Sequence, residues 1–309
     1  MSFLTVGTVA FDAIETPFDK VDKIIGGSAT YICVTAANFY KDLQIVSVVG
    51  DDFPKEVIAD FEARGVDVEG LQVKEGEKSF FWSGKYHHNM NDRDTLVTDL
   101  NVLADFDPII PESYRNAKYI MLGNIDPTLQ IKVLNQMNQK PDLVMLDTMN
   151  FWMDIAMEPL KEVIKRIDVL TINDAEARQL TGEYSLVKAA KKIVTEMGPK
   201  YLIIKKGEHG ALLFNNENQV FFAPALPLEE VFDPTGAGDT FAGGLMGYLA
   251  MTGDTSFENM KRGIIYGSAM ASYCVEKFGP ERLLELTQED IDRRLQEFVS
   301  LVQFDISLS

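Results

Sequence analysis

FDPTGAGDTFAGG, residues 232–244, sets two aspartates and four glycines between an apolar run and a segment with the composition of a buried helix. Gly236, Ala237 and Gly238 leave their backbone N–H groups uncovered. A helix starting near Asp239 would aim those donors and its dipole at a bound anion. Asp239 then falls in the first turn, where the same dipole favours its ionised form. A carboxylate beside an anion cradle can take a hydroxyl proton while the cradle stabilises charge on a phosphoryl group in transit. The pattern therefore suits phosphoryl transfer to an alcohol. Local physics leaves a second reading open, a glycine-rich turn closed by an aspartate that caps a helix.

Upstream of this stretch, short β-rich apolar runs alternate with helical patterns. FLTVG (3–7), LQIVSVVG (43–50), AKYIMLG (117–123), DLVMLD (142–147), IDVLTIN (167–173) and YLIIKKG (201–207) read as strands buried on both faces. The segments between them carry apolar residues at helical spacing, so the alternation predicts βαβ units, a mostly parallel sheet and helices on both its faces. After residue 238 the pattern turns helical, over roughly 239–251, 257–275 and 287–300. One section breaks the rhythm: from Leu71 to Leu100 apolar and polar residues alternate between turn-like EGEK and NMNDRD interruptions. It reads as a small antiparallel sheet, joined by residues 10–25. The expected organisation is one domain over residues 1–309, with a lid formed by about 10–25 and 71–100.

Composition narrows the function. Lys and Arg number 29 against 47 Asp and Glu, a formal net charge of −18, which repels a phosphate backbone or an anionic membrane surface. Neither nucleic acid nor membrane is an expected partner. The opening MSFLTVGTVAFDAIETP has no basic n-region, and Asp12 and Glu15 interrupt it too early for a signal peptide. Cys33 and Cys274 lie far apart in apolar stretches without CxxC spacing, which suits buried thiols in a reducing cytoplasm. The chain lacks GxxxxGK[ST], a GxGxxG after its first strand, and HExxH. These absences argue against a P-loop ATPase, a dinucleotide-dependent dehydrogenase and a zinc hydrolase.

DPTGAGDTFAGG resembles the C-terminal signature of the ribokinase or PfkB family of carbohydrate kinases, written around D-T-x-G-A-G-D-x-F. The family's motif order continues in VGTVAFD, the pair Gly26 and Gly27, VVGDD (48–52), LDTMN (146–150), INDAEARQLTG (172–182), KKGEHGALL (205–213) and the FGPE that follows the closing helix. The resemblance implies a ribokinase-like three-layer α/β/α core with a β-sheet lid over the sugar site. It implies that Asp239 is the catalytic base, that Gly236, Ala237 and Gly238 form the anion hole for the transferred phosphate, and that ATP and Mg²⁺ are required. Asp233 and Thr235, with Gly279 nearby, match positions that hold a monovalent cation, typically K⁺. Asn173 and Glu176 match N-x-x-E and would act through waters on Mg²⁺ and the nucleotide. The same spacing also fits an N-cap with its capping-box acid. Lys205 and Gly207 fall where the family has T-x-G beside the ATP phosphates.

On the acceptor side the resemblance puts Asp12 on two sugar hydroxyls, with Gly26 and Gly27 letting the chain pass close. Asn124 and Asn150 are further pocket candidates, each readable as a turn residue instead. G-G-x-x-x-N of the family becomes GGSATY here, with Tyr31 in the asparagine position. The lid segment is rich in polar groups (Tyr86, His87, His88, Arg93 and Asp94), and Arg93 is the one suited to bind hydroxyls or a carboxylate. The expected function is ATP-dependent phosphorylation of a hydroxyl on a small unphosphorylated sugar. The alternatives are a nucleoside or cyclitol kinase of the same family, and a non-catalytic sugar-binding regulator on this fold. A homodimer through the lid edge is a further expectation.

Overall fold

Along Tyr201–Lys205, Tyr201 and Ile203 belong to one hydrophobic layer while Leu202 and Ile204 belong to the other. That period of two is what a strand covered on both faces requires. The computed structural model describes residues 2–303. Its strands are β1 (Phe3–Val6), β2 (Ala10–Glu15), β3 (Lys20–Gly26), β4 (Leu43–Gly50), β5 (Val66–Lys74), β6 (Phe81–Tyr86) and β7 (Arg93–Asp99). β8 (Tyr119–Leu122), β9 (Leu143–Asp147), β10 (Val169–Asn173), β11 (Tyr201–Lys205), β12 (Ala211–Asn215) and β13 (Val220–Ala223) follow.

Nine of these strands form one sheet in the order β13-β12-β11-β10-β9-β8-β1-β4-β5. It is parallel from β11 to β5, and β12 and β13 add an antiparallel edge. The helices are α1 (Ser28–Ala36), α2 (Lys55–Ala63), α3 (Pro127–Asn135), α4 (Asn150–Ile155), α5 (Met157–Ile164), α6 (Asp174–Thr181), α7 (Leu186–Lys192), α8 (Ala237–Thr252), α9 (Phe257–Cys274), α10 (Glu281–Leu284) and α11 (Gln288–Val302). α1, α8 and α9 pack into the core on one face of the sheet, and α3, α5 and α7 into the core on the other. The three layers, the six core strands and the three C-terminal helices agree with the reading from sequence.

A second sheet has the order β3-β2-β6-β7; its outer pairs are antiparallel as expected, but β2 and β6 pair in parallel, so the sheet is mixed. It narrows the expected boundary of 71–100, because Leu71–Lys74 end β5, the edge strand of the large sheet, and the second segment contributes only β6 and β7. β5 is exposed at alternate positions along part of its length, so it carries the same alternation that a lid strand does. Both cysteines are free and buried, as expected. Among the described residues no helix is long and apolar enough to cross a membrane.

What fixes the direction of α8 is a close approach to α9. A Cβ built on Gly244 would lie 3.0 Å from Gly267 Cα, and one on Gly267 would lie 2.6 Å from the Phe241 carbonyl oxygen. Backbones this close exclude any larger side chain, so Gly267→Val should destabilise the fold by about 1–3 kcal/mol, the usual cost of overpacking. Urea denaturation measures this, and an unchanged midpoint would show that the two helices do not meet through these glycines.

Candidate active site

The loops after β1, β8, β9, β10 and β11 open, together with the small sheet, onto one cavity of about 1790 Å³. Strand order reverses around β1, which lies between β8 and β4, so the loops there diverge and leave a crevice at the carboxyl ends of the strands. α8 points its N-terminus into this crevice. Its N-cap, Gly236, has φ 75°, a left-handed conformation, and a Cβ there would stand 2.4–2.5 Å from three ring carbons of Tyr31. Only glycine meets both demands. The helix begins at Ala237, so Gly238 and Asp239 both lie in its first turn. Ala237 N–H donates to the Pro234 carbonyl at 3.2 Å, whereas the Gly236 and Gly238 N–H groups have no hydrogen-bond partner among the described residues. Of the expected Gly236–Ala237–Gly238 cradle, two donors are free for an anion and the third is engaged.

Asp239 faces charges from several elements. Burial, and then the Asp147 carboxylate, push its pKa well above the ordinary aspartate range, and Lys205 and Arg93 draw it back only in part. Lys205 ends β11 and Asp147 ends β9, with Asn173 ending β10 between them. Lys205 Nζ donates to Asp147 Oδ2 at 2.8 Å, and the two side chains are 20% and 9% exposed. Burial works against the ammonium, yet Asp147, Glu176 and Asp239 outweigh it and hold the Lys205 pKa above its usual value. Glu176 is pushed up to about 7 by burial and by Asp147, against Lys205 and the Asn173 N–H. Asp147 was not singled out from sequence. The available signal was an acid closing an apolar strand at the sheet's carboxyl edge.

On the opposite wall, burial raises Asp12 to about 7, with the Asp233 and Asp239 carboxylates adding to it and the Gly27 N–H opposing. A Cβ on Gly26 would fall 1.9 Å from Asp12 Oδ2, so Gly26 backs this carboxylate from outside the cavity while Gly27 lines it. Asp233 lies beneath the glycine loop. Its Oδ1 accepts from Thr235 N–H at 2.8 Å and its Oδ2 from Gly279 N–H at 3.1 Å. No lysine, arginine or histidine pairs with it among the described residues. Tyr31 is fully buried as a wall against Gly236, and its hydroxyl has no hydrogen-bond partner among the described residues.

From the small sheet, Tyr86 turns inward and accepts from the Thr235 hydroxyl at 3.1 Å. Arg93 lines the cavity and lies over the Trp82 ring, 5.7 Å from its centroid. His87 and Asp94 bond each other at 3.0 Å, both well exposed.

One expectation changes. Asn150 does not line the cavity; its amide donates to Gln179 on the exposed side, because it opens α4 one turn beyond the strand end. Asn173 and Glu176 form a complete capping box at the start of α6, with Glu176 N to Asn173 Oδ1 at 2.8 Å and Asn173 N to Glu176 Oε2 at 2.7 Å. Both nevertheless line the cavity, and the box engages one Glu176 oxygen, leaving the other. Asn124 also lines the cavity, oriented by Trp152 Nε1 at 2.8 Å. Gly207 stands beside Asn91 of the β6–β7 turn, whose Oδ1 would be 2.6 Å from a Cβ there.

Residues 5–286 match the pfkB family of carbohydrate kinases. The cytidine kinase of Thermococcus kodakarensis is 32% identical over 253 residues, covering 80% of this chain and 88% of that enzyme. The nucleoside kinase of Burkholderia thailandensis, solved in complex with inosine, shares the fold with a TM-score of 0.75 at 20% identity over 97% of each chain. A protein described as ribokinase II of E. coli, solved with ATP and Mg²⁺, gives a TM-score of 0.78 at 21% identity over 96% of this chain and 99% of that one. The sequence match spans almost the whole chain and the architecture agrees with it, so the chain belongs to the pfkB family of carbohydrate kinases.

Proposed function

We propose that the protein transfers the γ-phosphate of ATP to a hydroxyl of an unphosphorylated ribose-containing acceptor, a nucleoside before a free sugar. The observation that carries the reaction class is Asp239 held in the first turn of α8, beside two free N–H donors of a glycine cradle. Asp12, on the facing wall, is a bidentate acceptor suited to two vicinal hydroxyls. The nucleoside reading draws on the cytidine kinase relative and on the aromatic side chains of Phe80, Trp82 and Trp152 in the cavity lining, on any of which a base can stack. The free-sugar reading draws on Asp12 and on membership of the pfkB family of carbohydrate kinases.

Asp239 would take the proton of the acceptor hydroxyl as its oxygen attacks the γ-phosphorus in line, and the α8 N-terminus would hold the developing charge. Glu176 and Asn173 have the oxygen donors to hold Mg²⁺ through water, and the ion, when bound, neutralises phosphate charge. Asp233, a buried carboxylate without an ion-pair partner, fits a monovalent cation under the glycine loop. The small sheet would act as a lid that excludes water. Its edge strand β7 is exposed throughout, with Leu96 54% and Val97 39% exposed, which supports a homodimer through the small sheets. Sedimentation equilibrium should report the dimer, and a monomer at every concentration would remove it.

Asp239→Asn should lower kcat by about 10²- to 10⁴-fold with ADP affinity retained. The assay is ADP release, with and without K⁺, across nucleosides, pentoses, hexoses and cyclitols. Near-normal turnover by the variant would mean that Asp239 is not the base. Intact ATP binding with no turnover on any acceptor would favour the non-catalytic regulator.

A further inference from the structure

Burial disfavours an ammonium at Lys205, and the carboxylates of Asp147, Glu176 and Asp239 restore it. Lys205 sits under the N-terminus of α8, the positive end of the helix dipole, which disfavours a cation. A Cβ on Gly238 would lie 3.0 Å from Lys205 Nζ and 3.8 Å from Asp147 Oδ2. A lysine serving only to neutralise the surrounding acids would bond several of them. Lys205 bonds one, Asp147 at 2.8 Å, although Glu176 and Asp239 also face it. An ammonium has three donors, so two are left, and the side chain is open to the cavity beside the free Gly238 N–H.

We propose that Lys205 is a catalytic residue that contacts the phosphoryl group in flight, and that Asp147 is the positioning residue that aims it there. The proposal rests on the kinase reading and goes beyond anchoring the nucleotide. Phosphoryl transfer leaves charge on three equatorial oxygens, and a donor fixed at that point strengthens as the charge develops. Lys205 and the Gly238 N–H would grip those oxygens from one side, with Asp239 at the attacking hydroxyl. The salt bridge holds the ammonium in place without closing its remaining donors. No covalent bond to Lys205 forms, and the acceptor proton goes to Asp239.

The test compares wild type with Lys205→Met, Lys205→Arg and Asp147→Asn on one acceptor that the wild type phosphorylates. A wild type without turnover fails the kinase reading itself; the proposal is judged on the variants of an active enzyme. Lys205→Met should lose about 10²- to 10³-fold in kcat, the scale of a lost transition-state donor, while its ADP affinity, read by calorimetry, is retained. Lys205→Arg should recover part of the loss. The charges facing Asp239 are Asp147 from β9, Lys205 from β11, Arg93 from β7, Asp12 from β2 and the Cys274 thiol from α9. Removing the Lys205 charge should therefore move the acid limb of kcat/KM to higher pH, and removing the Asp147 charge should move it to lower pH. Should Lys205→Met fail to fold for want of a partner to Asp147, the double variant Lys205→Met/Asp147→Asn removes both members of that ion pair together and should show the same kcat loss. Wild-type kcat in Lys205→Met, or ADP affinity falling in step with kcat/KM, overturns the proposal.

Discussion

Three carboxylates crowd one lysine at the carboxyl edge of the sheet, and the rest of the site is arranged around that crowding. Taking an ion out of water costs several kcal/mol, and a paired cation repays it only with good geometry and further hydrogen bonds. Here the repayment is partial. Lys205 bonds Asp147, the Asn173 N–H caps Glu176, and both Glu176 and, on the facing wall, Asp12 sit at about 7. A fold selected for stability alone would fill this crevice with apolar side chains. Groups whose pKa values are moved this far by burial and by one another, in a cleft, mark a functional site.

Glycine makes the crowding possible. Gly26 leaves room for the Asp12 carboxylate, Gly236 takes the left-handed cap against Tyr31, and Gly244 with Gly267 lets α8 lie close enough to α9 to aim its N-terminus at the crevice. Each removes a side chain where a backbone or a carboxylate must pass. The phenol of Tyr31 is the complementary element, because it fills the space that Gly236 leaves and so fixes the first turn of α8 from below.

The strands and the three C-terminal helices were legible because a strand buried on both faces must be a continuous apolar run, and a helix of glycines and apolar residues such as 237–252 must be buried. The glycine loop was legible on local physics as a turn leading into a helix N-terminus, with an anion site and a capping turn both open, and the resemblance to the pfkB signature favoured the first. What stayed hidden was long-range. Asp147 and Lys205 are 58 residues apart and meet only because β9, β10 and β11 are neighbours in the sheet, a fact no spacing encodes. Asn150 misled for a local reason: it opens α4, and its amide bonds Gln179 of α6 on the exposed side. Asn173 and Glu176 admitted two readings from sequence, and the structure shows a complete capping box whose residues also line the cavity.

The central claim is direct transfer of a phosphoryl group to an acceptor hydroxyl poised at Asp239, with no group on the protein accepting it in between. The measurement that addresses it most directly is the stereochemical course at phosphorus, using ATP made chiral at the γ-phosphorus with oxygen isotopes and an acceptor that the enzyme turns over. A single in-line displacement inverts the configuration, and inversion is the predicted result. Retention would require a phosphorylated protein intermediate and would contradict the account.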